Sequence, residues 1–554
     1  MPDIEQRQQE CSARLQELDS AIAELYRQRA NVCSDINTLK PILPDELLVE
    51  VLKRACSFDC SSNERDPHYP IVLSSVSRHW RDIIHSIPSF WTNLGLRFPS
   101  RGPRGYDFAS PPTLKLLRLY FDNSGDLPVS LRVNFPGLER PGTVTPSQEE
   151  EHVAAAGPST KQVFQYISNL YPGKINSLFI WGLNPSLPIV YAWDAGDGIF
   201  DNVQFPNIRQ LYVATADFQF FGRGPPENDI KSIPPAVLPN LNHLTLKRNL
   251  PCGLGFPYLQ LTTLELEDIP INGCYRLMRN STNLVTFSCK RPRSPTQGSQ
   301  GPPTDPVRLY HVKSFSWAFG FQEWDRALLQ CVSLPALEVF TCEEQGSDGL
   351  VPLENPPSNF AQQMSSLQTS FLHQSPSLRV FKSVAQDYLL FEPRILVNDL
   401  PRSIEEVHLD KVKLEVANDF MRALIPSRDP ASSQVTLLPQ LKVLDLEIEC
   451  DYWIRELVLE MIRARRAPDP HSYGLQSRLE RVLLRRGQMY GIQKHMALRD
   501  DFADKFQQFV DGGLYLVTAD EDGAHKKWSR TSSGSFRMLA PSLLKKTLTF
   551  LSLA

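Results

Sequence analysis

Between Ile4 and Leu39 apolar side chains return in alternating steps of four and three residues. They stand at Cys11, Leu15, Leu18, Ile22, Leu25, Val32, Ile36 and Leu39, with Arg29 in the one missed place. No proline or glycine interrupts the run, so the spacing predicts one long helix with a coiled-coil seam, ended by Pro41. Such a helix either joins a partner or folds against the domain that follows. A second helix is predicted behind Pro44, Asp45 and Glu46, which suit a first turn, with Leu47, Leu48, Val51, Leu52 and Ala55 at helical spacing. A third runs from about Ile71 to His85, with Leu73, Val76, Trp80, Ile83 and Ile84 on its apolar side.

Beyond Pro112 the periodicity changes. An apolar residue, two of any kind, an apolar residue, one of any kind and an apolar residue recur to the end of the chain. The copies are Leu114/Leu117/Leu119, Ile175/Leu178/Ile180, Ile208/Leu211/Val213, Leu241/Leu244/Leu246, Leu261/Leu264/Leu266, Leu284/Phe287/Cys289, Val312/Phe315/Trp317 and Leu337/Phe340/Cys342. They continue as Ile404/Val407/Leu409, Leu441/Leu444/Leu446, Leu479/Val482/Leu484 and Leu548/Leu551/Leu553, with a weaker copy at Leu378/Phe381. Several follow a proline, as in FPNIRQLYV, LPNLNHLTL and LPQLKVLDL, and helical stretches separate some of them: Gly273 to Arg279, Phe360 to His373, Val416 to Leu424 and Tyr452 to Arg463. The organisation read from these patterns is a helix at 1–40, a helical module at 41–95, a linker at 96–112 and a repeat region at 113–554. Two stretches rich in Pro, Gly, Ser and Thr, 136–159 and 291–306, read as mobile surface loops.

Composition narrows the classes. Forty-five prolines imply frequent chain breaks and hence many short elements. A formal charge of −4 supplies no global field toward nucleic acid or an anionic membrane, so partners must be read locally. Arg463, Arg465 and Arg466 are expected to complement a helix end or stay solvated. Ten widely scattered cysteines point to a reducing compartment, cytoplasmic or nuclear, and no run of about 18 apolar residues predicts a membrane span.

The order Leu43-Pro44-x-Glu46-Leu47, then Val76-Ser77-Arg78-x-Trp80-Arg81, then Pro88-x-x-Trp91, resembles the F-box. It covers about a tenth of the chain. The resemblance implies docking to a Skp-type adaptor and through it to a cullin ligase core, with Leu43, Pro44, Glu46, Leu47, Val51, Val76, Trp80 and Trp91 at the family's contact positions. The polar connection Cys56 to Pro70 is longer than the compact family pattern.

A short strand, a helix and a proline turn, repeated, resemble a leucine-rich-repeat protein. The expected fold is therefore α/β: an N-terminal helix and small helical bundle, then an irregular leucine-rich-repeat-like solenoid. If the apolar positions of each copy point inward, the alternate side chains form a readable face for a client protein. Candidate client contacts there are Trp181, Tyr212, His243, Glu265, Glu267, Glu406, His408, Asp445, Glu447 and Arg481. The alternative to a ligase adaptor is a non-catalytic interaction scaffold. The long helix leaves self-association through residues 4–39 open.

Catalysis is not expected, since there is no GxxxxGK[ST], GxSxG, HExxH or paired CxxC. No cofactor is implied. Cys56, Cys60 and His68 would need a fourth ligand such as His79 to hold zinc, and Asp520, Asp522 and Gly523 lack the glutamate of a calcium loop.

Overall fold

Residues 2–38, 44–56, 69–97, 111–134, 161–183, 203–215, 231–232, 235–248, 254–296, 301–302, 304–344, 360–384, 400–425, 437–448, 455–466, 479–486, 508–511, 513–519 and 525–528 are described by the structure, a computed structural model. Its contacts form two compact units, Met1–Leu241 with Arg248–Pro257, and Asn242–Lys247 with Tyr258–Ala554.

The first unit opens on α1 (Pro2–Thr38), the single long helix that the seam predicts. Then come α2 (Asp45–Cys56), α3 (Tyr69–Ser74), α4 (Arg78–Ser86) and a 3-10 turn, Pro88–Trp91. The third predicted helix is thus broken in two, and the serines explain why. Ser74 and Ser75 donate their hydroxyls to the carbonyls of Ile71 (2.7 Å) and Val72 (2.6 Å), and Ser77 accepts from the Trp80 amide at 3.1 Å as the cap of α4. Leu48 and Leu52 of α2 are buried, as are Ile83 and Ile84 of α4 and Phe90 and Trp91 of the 3-10 turn. The Trp91 indole donates to the Ile84 carbonyl at 3.0 Å and meets Tyr120 edge-on at 5.1 Å, which ties the module to α5 (Pro111–Asn123).

Four strands of this unit pair in chain order, each parallel to the next: β1 (Asn93–Arg97), β2 (Val129–Asn134), β3 (Ile175–Leu183) and β4 (Gln210–Thr215). Leu114, Leu117 and Leu119, expected on a strand, lie on α5 instead, because the same spacing also fits a helical stripe. The strand-forming alternation at Val129, Leu131 and Val133 is the one that pairs.

In the second unit the strands again follow chain order. They are β5 (His243–Lys247), β6 (Thr263–Glu267), β7 (Thr286–Lys290), β8 (Ser314–Phe319), β9 (Val339–Glu344), β10 (Val380–Val384), β11 (Glu406–Val412), β12 (Val443–Ile448), β13 (Arg481–Arg486), β14 (Tyr515–Ala519) and β15 (His525–Trp528). All neighbours are parallel except the last pair. Helices α6 (Ile271–Asn280), α7 (Gln322–Cys331), α8 (Phe360–His373), α9 (Leu414–Leu424) and α10 (Arg455–Arg466) connect successive strands. The protein is therefore a mixed α/β structure built on large, open, mainly parallel sheet.

Register carries the repeat. Leu244 lies opposite Leu264, Phe287 follows, then Phe315, Phe340, Phe381, Val407 and Leu444, so the same motif position is stacked strand upon strand. Stacked phenyl rings result: Phe287 to Phe315 at 5.2 Å, Phe315 to Phe340 at 6.3 Å and Phe340 to Phe381 at 6.2 Å, with Phe371 of α8 packed on two of them. The leading position of each copy, from Leu241 through Leu261, Leu284, Leu337 and Leu378 to Leu441, is fully buried at a turn. Burying one such side chain stabilises by roughly 1.5–3 kcal/mol, so an array of many short strands outweighs its ordering entropy only when the copies stack.

The turns are stitched by side chains. Asn207 donates to the Gly173 carbonyl at 2.7 Å, Asn240 to Pro206 at 2.6 Å and Asn283 to Leu259 at 2.6 Å, each reaching back one copy. Ser375 does the same to Leu334 at 3.0 Å and Ser403 to Leu378 at 2.7 Å. Gly173 has φ +78°, and a Cβ placed there would stand 2.8 Å from the Asn207 amide nitrogen. Gly173→Ala should therefore cost about 1–2 kcal/mol of unfolding free energy from the left-handed backbone alone, read as a lower denaturant midpoint.

Two further expectations change. The described part of 291–306 is bonded to its surroundings rather than loose: the Ile271 amide donates to the Arg293 carbonyl at 2.9 Å, the Arg293 amide donates to the Ile269 carbonyl at 2.8 Å, and Asn272 donates to the Thr296 hydroxyl at 2.8 Å. Arg465 is buried, not solvated. Residues 136–159 and Leu548, Leu551 and Leu553 lie outside the described residues. No helix among the described residues is long and apolar enough to cross a membrane.

Candidate interaction site

Helix α2 presents two sides. Leu48 and Leu52 face inward, whereas Leu47 and Val51, one turn apart, are 54% and 46% exposed. Val72 on α3 and Val76 just beyond it are 53% and 46% exposed, and α3 packs against both α2 and α4. Together these four side chains leave apolar surface of the module open to water. His79 meets Asp45 at 3.0 Å and Arg81 donates to the Ser74 carbonyl at 3.2 Å, so the start of α2 and the end of α3 are both tied to α4. Cys56, half-buried at the end of α2, has its thiol pushed up to about 11 by burial, which makes it a poor nucleophile.

Of the residues expected at the adaptor contact, Pro44, Glu46, Leu47, Val51 and Val76 are exposed and Trp80 is half-buried. Trp91 is fully enclosed and is not available at the surface. Leu43 lies outside the described residues, as do Cys60 and His68. Val72 was not singled out from the sequence, although it stands four residues before Val76.

Three groups of side chains stand on the strands, one in the first unit and two in the second. On β2 to β4, the Arg132 guanidinium lies 4.8 Å over Trp181, which stacks on Tyr212 at 4.7 Å. On β5 and β6, His243 approaches Glu265 at 3.7 Å and Lys247 pairs with Glu267 at 2.8 Å. Arg291 also binds Glu267 and reaches Asp268 at 3.3 Å. Burial opposes ionisation of Glu267, but Lys247 and Arg291 override it and hold the carboxyl below its usual range. On β11 to β13, His408 sits between Asp445 (3.2 Å) and Glu406 (3.5 Å), with Glu447 and exposed Arg481 on the same face.

The candidate client-contact residues are therefore brought together in separate local groups. Ser288 of β7, Ser316 of β8, Thr341 of β9 and Lys382 of β10 fill the register positions between the two charged groups. Glu343 of β9 is shifted up by burial, opposed by Lys290 and reinforced by Glu267. Arg291 and Asp268, just past the ends of β7 and β6, were missed because a strand-face pattern does not announce ion pairs made across adjacent turns. Among the described residues no group of three or more histidine, cysteine or acidic side chains is placed to hold a metal ion. No protein-family model matches the chain, and no curated protein matches it.

Proposed function

We propose that the chain is a substrate-recognition adaptor of a Skp–cullin–F-box ubiquitin ligase. In this reading α2 to α4 with the Pro88–Trp91 turn are an F-box that docks on a Skp-type adaptor, and the stacked strands are a leucine-rich-repeat-like solenoid that holds a client protein. Its action is tethering: a client bound to one end has its lysines raised in effective concentration near a transfer site carried by the partners. No residue of this chain is assigned bond chemistry.

The observation that carries the reading is the exposure of Leu47 and Val51 on a helix whose opposite side is already buried. They stand in the sequence order Leu-Pro-x-Glu-Leu, at the positions the resemblance assigns to adaptor contact. The test is capture of a purified Skp-type adaptor by the intact chain. Leu47→Asp with Val51→Asp should lower affinity by at least roughly 30-fold, as expected when two interface anchors each worth about 1–3 kcal/mol are lost. Both positions are exposed, so circular dichroism should be unchanged. Equal capture by the variant, or none by the parent chain, would leave a scaffold without ligase docking.

A further inference from the structure

Helix α1 offers a second, independent surface. Leu15, Leu18, Ile22, Leu25 and Val32 are 48–64% exposed along the seam. A stripe of this length on a helix of 37 residues is more apolar surface than a solvated helix carries without a cover. Written as heptads, Leu15, Ile22 and Arg29 occupy the a positions, and Leu18, Leu25 and Val32 the d positions. A β-branched residue at a, flanked by leucines at d, favours two parallel strands.

The flanking positions say what the cover is. In a parallel in-register pair each g residue faces the e residue five places on in the other strand. Here Arg14 at g would face Asp19, and Ala21 at g would face Tyr26, which is 66% exposed. The chain thus supplies both halves of an ion pair and both halves of a small-to-large contact. A spacing of five residues keeps Arg14 and Asp19 from serving each other within one helix, where three or four is needed.

We propose that α1 pairs with α1 of a second copy of this chain as a parallel two-stranded coiled coil, giving a dimer with two sets of strand faces. Arg29 sets its limit. One charged layer at an a position fixes register and weakens the pair, so the dimer is reversible. The inference does not depend on ligase docking, because it concerns this chain alone.

Sedimentation equilibrium of the full-length chain tests it. The wild type should show a concentration-dependent dimer, Ile22→Asp should abolish it and Arg29→Leu should tighten it. Arg14→Asp or Asp19→Arg alone should weaken association roughly ten-fold, since two such pairs exchange attraction for repulsion. The double reversal, Arg14→Asp with Asp19→Arg, should restore it. These side chains are exposed, so helical content and thermal unfolding of the variants serve as folding controls. A monomer at every concentration, a dimer insensitive to Ile22→Asp, or no rescue by the double reversal would each overturn the proposal.

Discussion

Arg465→Ala should lower the free energy of chemical unfolding by roughly 3–5 kcal/mol, because it strips two buried carbonyls and one part-buried carbonyl of their donor at once. Arg465 is 3% exposed at the end of α10. Its guanidinium donates to the carbonyl of Leu424 at 2.8 Å, to that of Leu438 at 2.8 Å and to that of Leu437. Leu424 ends α9, whose last carbonyls lack helical partners, and Leu438 sits at φ +49° in the turn that leads into β12. Burial lowers the guanidinium to about 10, which leaves it a cation at pH 7. A planar fork can serve three acceptors from one stem, whereas an ammonium is a point charge. Arg465→Lys should therefore recover less than half of the loss, and Arg465→Met almost none of it. Urea unfolding at pH 7 separates these cases. An alanine variant with the parent midpoint and slope would show that water takes over all three carbonyls.

The strands were legible because a parallel stack in register repeats one chemical demand at every layer. Leu264, Phe287, Phe315 and Phe340 share a position in the motif and meet in space. Periodicity failed where two periods coincide. Leu114, Leu117 and Leu119 satisfy both the strand motif and a helical face, and Pro111 and Pro112 in the first turn allow the helix. Helix α7 went unnoticed for a different reason: its Trp324, Ala327 and Leu328 follow directly on β8, with no proline to divide them.

The site was legible only in part. Leu47, Val51 and Val76 came from a local order of residues, and local order survives folding. Arg132 over Trp181 and Tyr212, by contrast, comes from strands whose separation in sequence is set by connections of unequal length, so nothing in any one segment announces the stack. Arg465 shows the same limit. A run of arginines at a helix end usually stays in water, and only the turn at Leu437 and Leu438, 27 residues or more earlier, makes this one a buried clamp.

Asp325 should make stability fall as pH rises from about 4 to 7. The side chain is 2% exposed in the first turns of α7, accepting from the Trp317 indole at 2.8 Å, from Gly320 N at 2.9 Å and from Phe321 N at 2.7 Å. Burial raises the carboxyl from 3.8 to about 7 against those three donors, which pull it down. Because the folded value lies above the unfolded one, the folded state holds the proton more tightly across this window. Its contribution is complete below about 4 and is lost as pH climbs through about 7, by at most roughly 4 kcal/mol. Asp325→Asn should remove that slope while leaving the two backbone bonds, since an amide oxygen can accept both. Its NH2 would then face the Trp317 N–H, donor against donor, at a cost of about 1–3 kcal/mol. Trp317→Phe takes away the opposing donor, so the double variant should be less destabilised than the sum of the single ones. Unfolding free energies at pH 4.5 and 7.5 for the four proteins supply both the slope and the coupling. A slope that persists in Asp325→Asn would assign the titration to another group, and strict additivity would show that the indole hydrogen bond contributes nothing to the fold.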